Sequence, residues 1–312
     1  MILSTITLNP AIDKTYFVNR FSVDNVNRVE RIKVNMGGKG VNVAATAAKC
    51  GIPCIAGGFL SGYNGQMIGK YLKDAGVATD FVYTEGDTRT NIKIIDTENK
   101  TYTDVNESGP AVSDSDIRAL LEKAADMAVK SDVVYLGGSF PPGVKAELYK
   151  ELISVIREKG ARAVLDADGE AFRQGVEAAP SVIKPNQAEL ESLIGRKLKT
   201  VSDVVNAAKQ LYDGGVETVL VSLGGNGAVC VSGGKAYRVY PLNVPVVSTV
   251  GAGDSFLCGY LYGQTVTGDI EQQLKYAMSF AGAKIQTEGT DIPSFDELCR
   301  FADMVTVERI EE

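Results

Sequence analysis

Short runs of apolar, β-favouring residues alternate along the chain with stretches whose apolar positions recur every three or four residues. That alternation predicts α/β architecture, a mainly parallel sheet with helices crossing over it. Strands are expected over residues 2–8, 53–59, 132–137, 162–166, 181–184 and 217–222, and a hairpin over 228–240 around Ser-Gly-Gly. Helices are expected over 40–50, 64–75, 114–130, 145–159, 170–177, 187–194, 202–213, 252–266, 270–286 and 294–303. Ser113 with Asp116 three residues on is a capping-box signal, and Gly51 and Gly76 read as helix stops.

Two stretches break this rhythm. Residues 26–35 and 89–105 alternate apolar and polar positions, as half-exposed strands do. With residues 15–19 they predict a small sheet standing off the main body, which needs a ligand or a second subunit against it. We read it as a lid drawn from about 14–35 and 88–106 of a single domain spanning 1–312, because no linker, repeat or low-complexity tract divides the chain.

Composition narrows the chemistry. The absence of histidine removes Ser-His-Asp and Cys-His machinery, histidine zinc ligands and an imidazole base. Proton transfer therefore falls to a carboxylate, Lys, Tyr or Cys. A net charge of −7 argues against nonspecific nucleic-acid binding, although a local field can still favour an anionic substrate. The five cysteines form no CxxC pair and read as reduced thiols; Cys50 and Cys54 lack the second pair a metal site would need. The first positive charge is Lys14, unlike a signal peptide, and the longest uncharged runs are broken by Gly and Ser, so a cytoplasmic chain without a membrane span is expected.

Two glycine clusters precede predicted helices. In Gly37-Gly38-Lys39-Gly40-Val41-Asn42, backbone N–H groups, the Lys39 ammonium and the Asn42 amide could meet an anion; a tight turn into a helix is the plain alternative. The spacing is not a P-loop, and no GxGxxG follows a strand. In Val250-Gly251-Ala252-Gly253-Asp254-Ser255, the glycines would expose amides to a phosphate. Asp254 is either a first-turn acid that suits the helix dipole, or the base that takes a hydroxyl proton; one carboxylate can do both. Lys184-Pro185-Asn186-Gln187-Ala188-Glu189 offers an amide and a carboxylate suited to Mg²⁺ through water, or simply a helix start. Ser222-Leu223-Gly224-Gly225-Asn226-Gly227 could pass beneath a nucleotide or enter a hairpin, and Arg89 could clamp a phosphate or lie on the surface.

Taken in order, these segments resemble the ribokinase-like, PfkB-type sugar kinases over essentially the whole chain. Thr7-Leu8-Asn9-Pro10-Ala11-Ile12-Asp13 is similar to the family's opening, residues 37–44 to its first signature and residues 248–256 to its second, with Gly138-Ser139-Phe140-Pro141-Pro142-Gly143 and residues 184–189 between them. The resemblance implies a three-layer α/β/α core and transfer of the ATP γ-phosphoryl group to a sugar-phosphate hydroxyl. It implies Asp254 as base, with the amides of Gly251, Ala252 and Gly253 as anion hole. It places Asp13, Gly38 and Asn42 on sugar hydroxyls, and Lys39, Arg89 and Ser139 on the substrate's phosphate. Lys184, Asn186, Ser222, Gly224 and Gly227 would hold the nucleotide, and Glu189 its Mg²⁺. Thr88-Arg89-Thr90-Asn91-Ile92-Lys93 is similar to a segment of the fructose-phosphate kinases, and residues 248–255 are nearer the kinases of fructose 1-phosphate than those of tagatose 6-phosphate; the kinases of fructose 6-phosphate share that second block, and Phe140-Pro-Pro-Gly leans their way. The exposed face of the lid predicts a homodimer through it. Many members carry Asp where this chain has Ser248, at a position tied to a monovalent cation, so the serine weighs against potassium activation. A sugar-phosphate sensor without turnover is the non-enzyme alternative, and the intact Gly-Ala-Gly-Asp speaks against it.

Overall fold

The structure is a computed structural model that describes residues 1–311. The chain opens with β1 (Leu3–Thr7), all of it buried, then leaves the core through β2 (Ala11–Val18) and β3 (Val29–Gly37). It returns through α1 (Lys39–Lys49), β4 (Cys54–Ser61), α2 (Gly62–Asp74) and β5 (Ala78–Thr84). A second excursion, β6 (Thr90–Asp96) and β7 (Thr101–Asn106), precedes α3 (Asp114–Lys130). The run β8 (Val133–Gly137), α4 (Leu148–Glu158), β9 (Arg162–Asp166), α5 (Gly169–Val176) and β10 (Val182–Ile183) rebuilds the alternation. It continues with α6 (Gln187–Ile194), α7 (Val201–Asp213), β11 (Thr218–Ser222) and the hairpin β12 (Ala228–Ser232) and β13 (Lys235–Val239). The chain then closes with α8 (Ala252–Val266), α9 (Ile270–Lys284), α10 (Phe295–Cys299) and β14 (Val307–Ile310).

Ten strands form the main sheet in the order β14-β13-β12-β11-β10-β9-β8-β1-β4-β5. Pairing is parallel from β11 through β5 and antiparallel from β11 to β14. Apolar side chains leave both faces: Leu136, Leu165 and Val219 pack with α3 to α7, whereas Leu3, Tyr135 and Leu220 pack with α1, α2, α8 and α9. This is the expected three-layer core, and it explains why these strands read as continuous apolar runs. The chain winds outward from β1 to β4 and β5, then restarts beside β1 with β8. The C-terminal ends of β1 and β8 therefore flank a topological switch point, where open α/β sheets take their ligands.

Four strands form a separate sheet in the order β3-β2-β6-β7. The expected stand-off sheet is present with shifted bounds: β2 starts at Ala11 rather than residue 15, β3 starts at Val29, and residues 19–28 form no strand. Two main-sheet strands did not stand out in the pattern. β5 is an edge strand with mixed burial, and β14 is four partly exposed residues added antiparallel to β13. The helix expected over 294–303 is instead the short α10, whose N-cap Ser294 forms a capping box with Glu297, followed by a 3₁₀ turn at Ala302–Met304. The Ser113–Asp116 capping box is formed as read. Among the described residues no helix is long and apolar enough to cross a membrane.

Candidate active site

The crevice at the switch point collects the first group of expected residues. Beyond β1 the chain passes Asn9 and enters β2, which carries Asp13; beyond β8 it turns at Gly138, φ 101°, and presents Ser139. Arg89, just before β6, donates from Nε and Nη2 to the Asn9 carbonyl at 3.2 and 3.0 Å. Its Nη1 reaches the Glu107 carbonyl at 3.2 Å, and Nη2 also approaches Ser139 Oγ at 3.4 Å. Neutral acceptors thus hold the guanidinium, and among the described residues no carboxylate pairs with it. Asp13 and Glu107 favour its charge without pairing with it, which leaves its fork open to an anion.

Strand register builds a polar row across the small sheet. Asp13 pairs with Asn35 on one side and Asn91 on the other, and Asn91 pairs with Asn106. Asn91 Nδ2 donates to Asp13 Oδ1 at 2.9 Å. Burial raises the Asp13 pKa, against the Asn91 hydrogen bond and the charge of Arg89. Gly37 has no alternative here, because a Cβ would lie 2.2 Å from Asp13 Oδ2. The row lines a cleft of about 780 Å³ that also takes in residues 246–250 and 288–290. Amides and a carboxylate in a line suit the hydroxyls of a sugar.

Gly38 caps α1 with φ 117°, placing Asn42 one turn in. Asn42 Nδ2 donates to Asp254 Oδ2 at 2.8 Å, which joins the two glycine clusters through their helix N-termini. Asp254 is 8% exposed on the first turn of α8. Burial raises its pKa, the charge of Asp166 adds to that, and the Asn42 bond with Lys39 and Lys184 opposes it. The αL N-cap Gly251, φ 75°, has no side-chain cap, so the helix end faces outward undressed. One expected amide is not available: Ala252 N–H donates to the Thr249 carbonyl at 3.2 Å, closing the turn. Of the three amides expected to form an anion hole, that of Ala252 is thus already bonded within the turn.

Beneath this turn lies Asp166, whose side chain is almost fully enclosed. Lys39 Nζ pairs with its Oδ1 at 2.8 Å and Lys184 Nζ with its Oδ2 at 3.3 Å. Burial pushes the Asp166 pKa up, but the charges of Lys184 and Lys39 overcome it and hold the group ionised. Burial likewise works against the Lys39 ammonium, and Asp166 more than offsets it. Lys39, expected on the substrate's phosphate with Arg89 and Ser139, is thus engaged elsewhere. Lys184, expected at the nucleotide, sits 3.1 Å from the point a Cβ on Gly253 would occupy.

The nucleotide candidates form a second group. Asn186 caps α6 and pairs by an isolated parallel bridge with Ser222, bringing the two loops side by side. Gly224 borders open space, whereas a Cβ on Gly227 would collide with the Val239 carbonyl at 2.2 Å. Asn186 Oδ1 accepts from Glu189 N at 2.9 Å, and Glu189 Oε2 accepts from Asn186 N at 2.8 Å. The plain helix-start reading is therefore realised, and Glu189 retains one oxygen. Burial raises its pKa against the Asn186 amide and Lys39. No cluster of three acidic or thiol groups that could hold a metal exists among the described residues. The donor set fits Mg²⁺ held through its waters and a nucleotide's phosphates.

Sequence reading missed Asp166, Lys284, Asn35 and Asn106. Asp166 ends a strand that was correctly placed, and Asp166-Ala167-Asp168-Gly169 also carries one acid more than the resembled family usually has there, a signal whose meaning only the packing supplies.

The profile of the pfkB family carbohydrate kinases matches residues 6–297. The chain belongs to that family. The kinase is 36% identical to 1-phosphofructokinase of Rhodobacter capsulatus over 309 residues, covering 99% of this chain and 98% of the relative. It is 34% identical to 1-phosphofructokinase of Escherichia coli K12, with 95% of both chains covered. Phosphofructokinase-2 from Escherichia coli in complex with potassium superposes with a TM-score of 0.90 at 28% identity, covering 97% of this kinase and 98% of that chain. Membership makes the kinase a phosphotransferase that acts on a sugar hydroxyl with ATP as co-substrate.

Proposed function

We propose that the kinase transfers the γ-phosphoryl group of ATP to O6 of fructose 1-phosphate, giving fructose 1,6-bisphosphate and ADP. The carrying observation is Asp254: a buried carboxylate of raised pKa, hydrogen-bonded to Asn42 and set beside the uncapped amides of Gly251 and Gly253. A raised pKa lets a carboxylate accept a hydroxyl proton near neutral pH in a chain without histidine. The proton passes from O6 to Asp254 as the O6–P bond forms and the bond to ADP breaks. The Gly251 and Gly253 amides, with Lys184 below them, meet the charge moving onto the transferred group.

Asp13, Gly38 and Asn42 hold the sugar hydroxyls, and Arg89 with Ser139 holds the phosphate already on the substrate. Lys39 acts through Asp166 rather than on that phosphate. Asn186, Ser222, Gly224 and Gly227 border the nucleotide. Glu189 holds Mg²⁺ through water, which supplies charge neutralisation on the β- and γ-phosphates. The relatives' shared name favours fructose 1-phosphate over fructose 6-phosphate or tagatose 6-phosphate, and both substrates place the reaction in the cytoplasm.

The small sheet acts as a lid and as the dimer interface. Val34, Ile92 and Val105 share the face opposite the Asp13 row, with Ile32 and Ile94 behind them. Val34, Ile32 and Val105 are exposed, and a second copy of the sheet would cover them.

ADP release with Mg-ATP and each of the three sugar phosphates tests the substrate. A kcat/KM lead of about tenfold, roughly 1.4 kcal/mol of differential transition-state binding, is expected for fructose 1-phosphate. A lead by another substrate moves the kinase to that branch, and calorimetric binding without ADP release would make it a sensor.

A further inference from the structure

Lys284 ends α9 and is 2% exposed. Its Nζ donates to the Gly289 carbonyl at 2.7 Å and to Thr287 Oγ1 at 3.0 Å, both neutral acceptors. Among the described residues no carboxylate lies within ion-pair distance of it. A buried ammonium without a counter-ion is costly, and such a charge persists where something else returns the cost. The place it occupies suggests what does. Its Cε lies 3.2 Å from the point a Cβ on Gly251 would fill, so the side chain runs against the N-cap of α8. Lys184 stands in the same relation to Gly253 at 3.1 Å. Two ammonium groups therefore flank the glycine turn, but Asp166 neutralises one of them and nothing neutralises the other.

Charged groups around Lys284 come from several elements. Asp291 and Asp254 favour its protonation, Lys33 opposes it, and burial brings the pKa down to about 8, which leaves the group charged at neutral pH. The turn it grips is also tied to the lid. Glu288 pairs with Arg31 at 3.2 Å, Asp291 pairs with Lys33 at 2.5 Å, and Asn35 donates to Asp291 at 3.1 Å. The ammonium thus joins the base of the anion hole to β3 through one short loop.

We propose that Lys284 is a positioning residue, a tethered cation behind the anion hole, and that it makes turnover independent of added potassium. The chain's own groups do not suit a free monovalent cation there. The Gly289 carbonyl and the Thr287 hydroxyl already accept from the ammonium. Ser248 contributes no carboxylate, and its Oγ accepts from Val250 N at 3.3 Å. The inference rests on the kinase reading but not on which sugar phosphate is used.

The test compares potassium chloride with tetramethylammonium chloride at equal ionic strength, reading kcat, KM for ATP and the thermal midpoint. The wild-type kinase is expected to give the same values in both salts. Lys284→Ala, which empties the space between Gly289 and Thr287, should lose roughly 10²-fold in kcat in tetramethylammonium. Potassium or ammonium should then restore part of that loss and raise the variant's thermal midpoint. Potassium stimulation of the wild type overturns the proposal, as does a Lys284→Ala variant with normal kcat or with a loss that no cation restores. If the variant does not fold, the wild-type comparison decides alone. If no sugar phosphate is turned over, the substrate reading fails, while the thermal-midpoint comparison still tests Lys284.

Discussion

The two sheets of this kinase differ in composition and in burial: β1 and β8 carry no charged residue, whereas β3 and β7 mix aliphatic residues with Glu, Arg, Lys and Asp. In the main sheet, β1 and β8 are buried at every position between two helical layers. In the small sheet, β7 is exposed along its whole length and β3 along most of it. The main sheet fixes the ends of β1, β8, β9 and β10, and with them the Asp166–Lys184 pair that lies beside the glycine turn of α8. The small sheet presents one row of polar groups, Asn35, Asp13, Asn91 and Asn106, and most of its strand positions stay partly or fully exposed. On the proposed reading, chemistry is therefore anchored to the buried sheet and recognition to the exposed one.

Substitutions on each side should separate the two roles. Asp254→Asn is expected to lower kcat by roughly 10²–10⁴ while the fold survives; near-normal turnover would remove Asp254 as the base. Because only the ionised carboxylate accepts a proton, kcat/KM of the wild type should fall as pH drops through the raised Asp254 pKa. The acid limb of a pH–rate profile should therefore lie above the ordinary aspartate value of 3.8. Asp166→Asn leaves Lys39 and Lys184 without their shared counter-ion and should cost about 3–5 kcal/mol in urea unfolding. Little change would mean that the lysines find other partners.

On the lid, Arg89→Ala should raise KM for the sugar phosphate roughly 10- to 100-fold, with kcat less affected. An unchanged KM would place the phosphate elsewhere. Ile32→Asp, on the opposite face, should convert a dimer to a monomer in light scattering while shifting the main body's stability by no more than about 0.5 kcal/mol. A wild-type monomer at micromolar concentration would count against the interface.

Legibility in the sequence followed the range of the interactions. The strand-helix rhythm is local, so the main sheet could be read almost element by element; β5 and β14 were lost because edge strands with mixed burial carry little periodicity. The glycine clusters were readable because a turn into a helix announces itself within eight residues. The ion pair of Lys39 was not readable for the opposite reason, since its partner Asp166 is 127 positions away. Ala252 looked like an equal member of its motif until the turn used its amide. Asn35 and Asn106 gain meaning only from strand register, and Lys284 only from the packing of α9 against α8.

The alternation within the small sheet also limits how this kinase can change over evolutionary time. Neighbouring residues of β2 lie on opposite faces, Asp13 in the polar row and Lys14 on the aliphatic face. A single-residue insertion ahead of Asp13 in β2, or ahead of Asn91 in β6, would shift that strand's register and carry its residue of the row to the opposite face. Length variation in this part of the chain should therefore concentrate in residues 19–28 and 97–100, while the strands themselves accept exchanges of side chain but not shifts of frame.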